Sequence, residues 1–175
     1  VQPGDEMLLL TSVHHRALHN LKQVDSEQDF AQFVRWCFVL QSGIQVSPYS
    51  YALKVDIFSP LRELACATEV QELFNDLKVR HVQNDSLSYL LLPSLIEAGL
   101  FTQARRQHLA VLAFHRAAVR DTADMISESF KHANYTKGLE MKRFMGMCTG
   151  SMQLALTNAE MPLLEILENN KQTSF

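Results

Sequence analysis

The chain has little of what loops, sheets, membrane spans and disulfide scaffolds are made from. Six glycines and five prolines in 175 residues leave few breaks, which favours long helices with short joints. No segment alternates strictly between apolar and polar residues, so no strand is expected. Basic charge is not in excess. Sixteen Lys and Arg against nineteen Asp and Glu give a net charge of −3, and no global field points to nucleic acid. The longest apolar runs, around Leu90-Leu91-Leu92 and from Ala110 to Phe114, fall far short of the ~20 residues a membrane span needs. Val1-Gln2-Pro3-Gly4 carries no basic region followed by an apolar core, so no signal peptide is read there. Three widely spaced cysteines, Cys37, Cys66 and Cys148, are odd in number and suit buried, reduced thiols of a cytoplasmic protein. The first residue is not methionine and the chain stops abruptly at Phe175, which suggests a piece of something longer.

What is present is a period. Thr68, Thr102 and Thr136 stand 34 residues apart, each inside a similar phrase: Ala65-Cys66-Ala67-Thr68-Glu69-Val70, Gly99-Leu100-Phe101-Thr102-Gln103-Ala104 and Ala133-Asn134-Tyr135-Thr136-Lys137-Gly138. A repeat of this length belongs to helical arrays of the tetratricopeptide kind. Each threonine is expected to be a helix N-cap, with Thr68 and Gln71 at capping-box spacing. The Gly99-x-Phe101-x-x-Ala104 stretch fits the turn and second-helix start of such a repeat. The early helix-A aromatic, however, is replaced by Lys54, Ser88 and Thr122, and the helix-B aromatic survives only as Phe74, against His108 and Lys142. The expected fold is all-α: degenerate tetratricopeptide-like hairpins stacked into a right-handed superhelix, with residues 1–46 as a preceding hairpin and 47–175 as the repeats.

Local signals divide the chain further. Asp5 is expected to cap a first helix whose inner face is Met7, Leu10, His14, Ala17 and Leu21. Ser26 opens a second, with Asp29 in its first turn, Phe30, Phe33, Val34, Cys37, Phe38 and Gln41 facing inward, and Gly43 as a left-handed stop. Ser47-Pro48 and Ser59-Pro60 each begin a helix, with a break near Phe58. Asn84-Asp85 caps the next, which Pro93 kinks or delays. Thr102 opens a helix to about Arg120. Asp121 with Asp124 starts another, Thr136 one more, and Asn158 with Pro162 leads into the last.

A more specific likeness lies in the stretch from about Ser47 to Ile166. Leu77-Lys78-Val79-Arg80-His81-Val82-Gln83-Asn84-Asp85-Ser86-Leu87-Ser88-Tyr89-Leu90-Leu91, then Asp121-Thr122-Ala123-Asp124 and Tyr135, resembles the auxiliary subunit of the N-terminal acetyltransferase B complex. The resemblance implies a non-catalytic scaffold that wraps and stabilises a catalytic acetyltransferase subunit and helps hold it at the ribosome, through rRNA or a ribosomal protein. It implies a complex that uses acetyl-CoA to acetylate nascent chains beginning Met-Asp, Met-Glu, Met-Asn or Met-Gln. An unrelated peptide-binding adaptor of the same architecture is the alternative, and an RNA-binding helical repeat is a third.

The residues themselves suggest no catalysis, no cofactor and no small-molecule substrate. An acetyl-CoA site needs a glycine-rich turn that grips a pyrophosphate, and Gly146 and Gly150 are merely four apart in a methionine-rich helix. His15 and His19 share a helix face but lack a third ligand nearby, so no metal site is read from them. Met141, Met145, Met147, Met152 and Met161 are expected between helices. The one singular surface is basic: Arg105, Arg106, Arg116 and Arg120, with no acid from 102 to 120. At 100° per residue they lie at about 0°, 100°, 20° and 60°, one stripe. It is either a solvated face paired with acids such as Asp121, Asp124 or Glu128 on the next helix, or a docking face for RNA phosphate or an acidic partner.

Overall fold

A computed structural model describes residues 4–21 and 27–173, and they form two compact units, residues 1–78 and 79–175. All regular structure among the described residues is α-helical, as the sequence pattern predicts. The first unit holds α1 (Asp5–Leu21), α2 (Glu27–Val46), α3 (Tyr51–Asp56), α4 (Phe58–Glu63) and α5 (Ala67–Asp76). The second holds α6 (Val82–Glu97), α7 (Phe101–Lys131), α8 (Tyr135–Thr149) and α9 (Met152–Thr173).

The 34-residue period is real, but its carrier is a turn and not a cap. The threonines are exposed second residues of α5, α7 and α8, and none of the three caps a helix. The preceding residues repeat instead. Ala65, Gly99 and Ala133 all adopt left-handed φ, at 55°, 69° and 53°. The Ala65, Gly99 and Ala133 N–H groups donate to the carbonyls of Arg62, Ile96 and Phe130; those of Cys66, Leu100 and Asn134 donate to Leu61, Leu95 and Ser129. That pair of bonds is the Schellman helix end, made three times in the same register. Of the three following helices only α8 has a side-chain cap, Asn134, which accepts from the Lys137 N–H. The compact position after each threonine also recurs: Val70 and Ala104 are fully buried, and Gly138 is buried where a Cβ would stand 2.8 Å from Ser129 Oγ.

In the first unit the core is Phe33, Trp36, Leu40, Leu53 and Ile57, with Leu8 and Leu9 packed against it. This corrects the expected face of α1 and part of that of α2, whose Phe33 does face inward and whose Cys37 packs against the core. Met7, Leu10, Phe30, Val34 and Phe38 are exposed, and α1 turns Leu8, Leu9 and Ser12 inward. The cause is polar. Trp36 Nε1 donates to the buried Ser12 Oγ at 3.0 Å, the Ser12 hydroxyl donates to Asp56, and Arg16 pairs with the same carboxylate. Satisfying that chain fixes the rotation of α1. Gly43 does not end α2. It lies inside the helix at a close approach, where a Cβ would be 3.2 Å from Leu8 and 3.4 Å from Leu53. Pro48 sits in a turn before α3 instead of starting it. The expected break falls at Ile57, between α3 and α4. Ser26 lies outside the described residues, as does the Asp29 side chain.

In the second unit α7 packs on α6, α8 and α9. It is one helix of 31 residues, so Asp121 and Asp124 are mid-helix and start nothing. Likewise Asn84 and Asp85 lie within α6, which runs through Pro93 without a late start, and Asn158 and Pro162 lie within α9. Asp and Asn favour helix starts, which is why the sequence predicts caps at these residues; in the structure Asn84 and Asp85 serve contacts between helices, and Asp121, Asp124 and Asn158 face outward.

Candidate functional site

The buried side of α7 is unusual for being mostly polar: Ala104, His108, Val111, His115, Thr122 and Ser129. They fall between about 240° and 300° on the wheel that places Arg105 at 0°. His108 and His115 are core residues, 0% and 5% exposed. Their partners come from α6 and α9. His108 Nδ1 lies 3.0 Å from Thr157 Oγ1, while Nε2 is 3.1 Å from Glu160 but out of line for a hydrogen bond. His115 Nε2 donates to Asp85 Oδ1 at 2.7 Å, and the Ser151 hydroxyl donates to the same oxygen at 2.6 Å.

Asp85, His115 and Ser151 are the residue types of a hydrolytic triad, but their order forbids that chemistry. A nucleophilic serine must give its proton to histidine, with the carboxylate behind the imidazole. Here the carboxylate stands between the other two. Ser151 also accepts from the Leu154 N–H at 3.1 Å, capping the start of α9. The three residues tie α6, α7 and the α9 start together. Nothing in the sequence announces this cluster, because its members are 30 and 36 residues apart on different elements.

Burial pushes the His108 imidazole below its ordinary 6.5 and the Glu160 carboxyl above its ordinary 4.5. The unfolded imidazole gains a proton as pH falls through about 6.5, before the buried folded one does, so acid costs stability there. Glu160 acts in the opposite sense, because its folded carboxyl takes up a proton before the unfolded one does. Urea melts of the wild-type protein between about pH 7.5 and 5.5 should show a falling midpoint. His108→Gln should remove the fall and leave only the Glu160 contribution; an unchanged slope in that variant would reject the assignment.

The opposite side of α7 carries the arginines. Arg106, Arg116 and Arg120 are exposed, whereas Arg105 is half-buried at the edge and lies 3.7 Å from Glu165 of α9. Arg120 pairs with its neighbour Asp121 at 2.9 Å, on the same helix and not on an adjacent one. Among the described residues, Arg106 and Arg116 have no ion-pair partner. Glu128 is engaged with Lys131 and His132.

The remaining sequence candidates do not gather. The His19 side chain lies outside the described residues, and His15 stands on α1. Among the described residues, no group of three or more His, Cys, Asp and Glu is placed to hold a metal ion. Met147 and Met152 are 69% and 74% exposed, so they are surface residues and not inter-helix core; Met141, Met145 and Met161 are half-buried. Only Cys148 is buried among the three free thiols; Cys37 and Cys66 are half-buried. No described helix is long and apolar enough to cross a membrane.

Comparison with known proteins gives this helical surface a context. Residues 1–175 match the family described as the N-acetyltransferase B complex (NatB) non-catalytic subunit. The chain is 26% identical over 138 residues to "N-alpha-acetyltransferase 25, NatB auxiliary subunit" of Homo sapiens, covering 78% of this chain and 14% of that protein. The Rattus norvegicus protein of the same name matches with the same identity and coverage. "N-terminal acetyltransferase B complex auxiliary subunit NAA25" of Arabidopsis thaliana is 20% identical over 142 residues, 81% of this chain and 13% of its own length. The chain thus spans about one-seventh of the length of these relatives. Matched along its whole length and built from helices throughout its described residues, the chain belongs to the family of non-catalytic NatB subunits.

Proposed function

We propose that this chain is one span of a cytoplasmic helical-repeat scaffold that binds and stabilises the catalytic subunit of NatB and supports co-translational N-terminal acetylation at the ribosome. The observation that carries the reading is the same Schellman turn made at Ala65, Gly99 and Ala133 in a chain matched throughout by the non-catalytic family. Repeated hairpins offer extended surfaces, which is what a protein that holds an enzyme requires. Co-purification is the direct test. The catalytic subunit should be retained by the full-length protein, and its absence from such a preparation would favour a peptide-binding adaptor instead.

Within this reading the exposed side of α7, with Arg106, Arg116 and Arg120 and with Arg105 at its edge, docks onto ribosomal RNA phosphate or an acidic ribosomal protein. Three exposed arginines that meet phosphate should give a binding constant falling by about two to three decades per decade of salt. Reversing all four arginines to glutamate in the full-length protein should weaken ribosome co-sedimentation at least about tenfold, with unchanged helicity by circular dichroism. Co-sedimentation that survives the reversal and ignores salt would remove the arginines from the interface.

A further inference from the structure

Much of the face of α2 that the hydrophobic pattern marks as internal lies outside the core, Phe33 excepted, and forms one wall of a groove. Val34, Cys37, Phe38, Gln41 and Ile44 line that wall, recurring at three and four residues along the helix. Glu69, Glu72, Leu73 and Asp76 of α5 line the other at the same spacing, and Ile57 and Leu61 form the floor. The space between them is about 610 Å³. Phe38 is 73% exposed and Val34 44%, far more than apolar residues of a finished interface would be. Two helical walls with this periodicity present the ridges between which a third helix packs. The α2 wall, eleven residues from Val34 to Ile44, is about 15 Å long, enough for about three turns of a guest helix.

The charge of the rim selects the guest. Every ionisable side chain lining the groove other than the Cys37 thiol is acidic: Glu69, Glu72 and Asp76. Asp76 is already engaged by Lys54 from outside the groove, whereas Glu69 and Glu72 have no cationic partner among the described residues. An acidic or neutral helix would leave that rim uncompensated. A helix with apolar anchors at i, i+3/i+4 and i+7 and Lys or Arg along one flank would match both walls.

We propose that the groove between α2 and α5 is a docking site for a basic amphipathic helix of a partner protein. The site does not depend on the NatB assignment, and the probes below contain no acetyltransferase. The test uses the full-length protein and two fluorescent synthetic 16-residue helices. Both carry leucine at i, i+3, i+4 and i+7; one is flanked by lysine and the other by glutamate. Anisotropy should give the lysine peptide an affinity about tenfold above the glutamate peptide at low salt. Phe38→Asp, at a position outside the core, should abolish binding of both peptides without loss of helicity. The double variant Glu69→Lys/Glu72→Lys should reverse the preference. Equal affinities, or binding that survives Phe38→Asp, would overturn the proposal. So would no binding of either peptide, the result expected if another segment of the protein or a second copy already fills the groove.

Discussion

Trp36→Ala should lower the stability of the 1–78 unit by about 3–5 kcal/mol, enough to unfold a unit of that size. Trp36 is 1% exposed, stacks edge-on against Phe33 at 5.9 Å, and belongs to the cluster that holds Leu40, Leu53 and Ile57. Truncation leaves a cavity the short helices α3 and α4 cannot collapse around. It also takes the indole donor from Ser12, which is fully buried and anchors α1 through Asp56. Because Trp36 is the chain's single tryptophan, the change is best followed by hydrogen exchange and circular dichroism. Amides of α1 to α3 should lose protection while those of α6 to α9 keep theirs. Trp36→Phe separates the two contributions, keeping most of the apolar contact and losing only the hydrogen bond, for about 1 kcal/mol. A Trp36→Ala protein with full protection in α1 would show that the polar chain does not hold that helix.

Asp85→Ala is the second large effect, expected to cost about 2–4 kcal/mol in the 79–175 unit. The lost carboxylate is the common acceptor for the buried His115 and for Ser151, so one truncation strands a donor on α7 and another at the α9 start. Asp85→Asn keeps the shape and one acceptor oxygen, and should cost roughly half as much. The readout is loss of exchange protection where α9 begins, near Leu154, together with a lower urea midpoint. If Asp85→Ala melts within about 0.5 kcal/mol of the parent, the cluster contributes little and α9 is held by its apolar residues alone.

The sequence reveals the class of fold and its period because both rest on repeated chemistry: few helix breakers, and small or turn-forming residues at 65, 99 and 133. It misassigns the individual carriers. Thr68, Thr102 and Thr136 look like caps because hydroxyls favour that position, yet the helix ends before them are settled by backbone bonds that Ala65 makes as well as Gly99 does. The rotation of α1 is not legible, since hydropathy gives Met7 and Leu10 more weight than a serine that accepts from a tryptophan 24 residues away. The same blindness hides the interior of α7. Positions where a tetratricopeptide repeat would place aromatics hold Ser88, Thr122 and His108, which look like decay of the motif but are buried. Ser88 accepts from Gln107 of α7 at 2.8 Å, so one such position serves as a polar link. The basic stripe was legible as a surface, and only the structure separates half-buried Arg105 from the exposed Arg106 and Arg116.

A hairpin array faces a problem of address, because similar helices can stack on the wrong neighbour and still bury oil against oil. The polar interior of α7 answers it. An apolar ridge accepts many partners at many heights, but His115 is satisfied only where a carboxylate such as Asp85 arrives at its level, and His108 only where Thr157 does. A helix slipped by one turn, or exchanged for a look-alike, would leave an imidazole dry and unpaired, at a cost of about 1–3 kcal/mol for each. These hydrogen bonds therefore favour the observed register of α6 and α9 on α7 over slips that shape alone would admit.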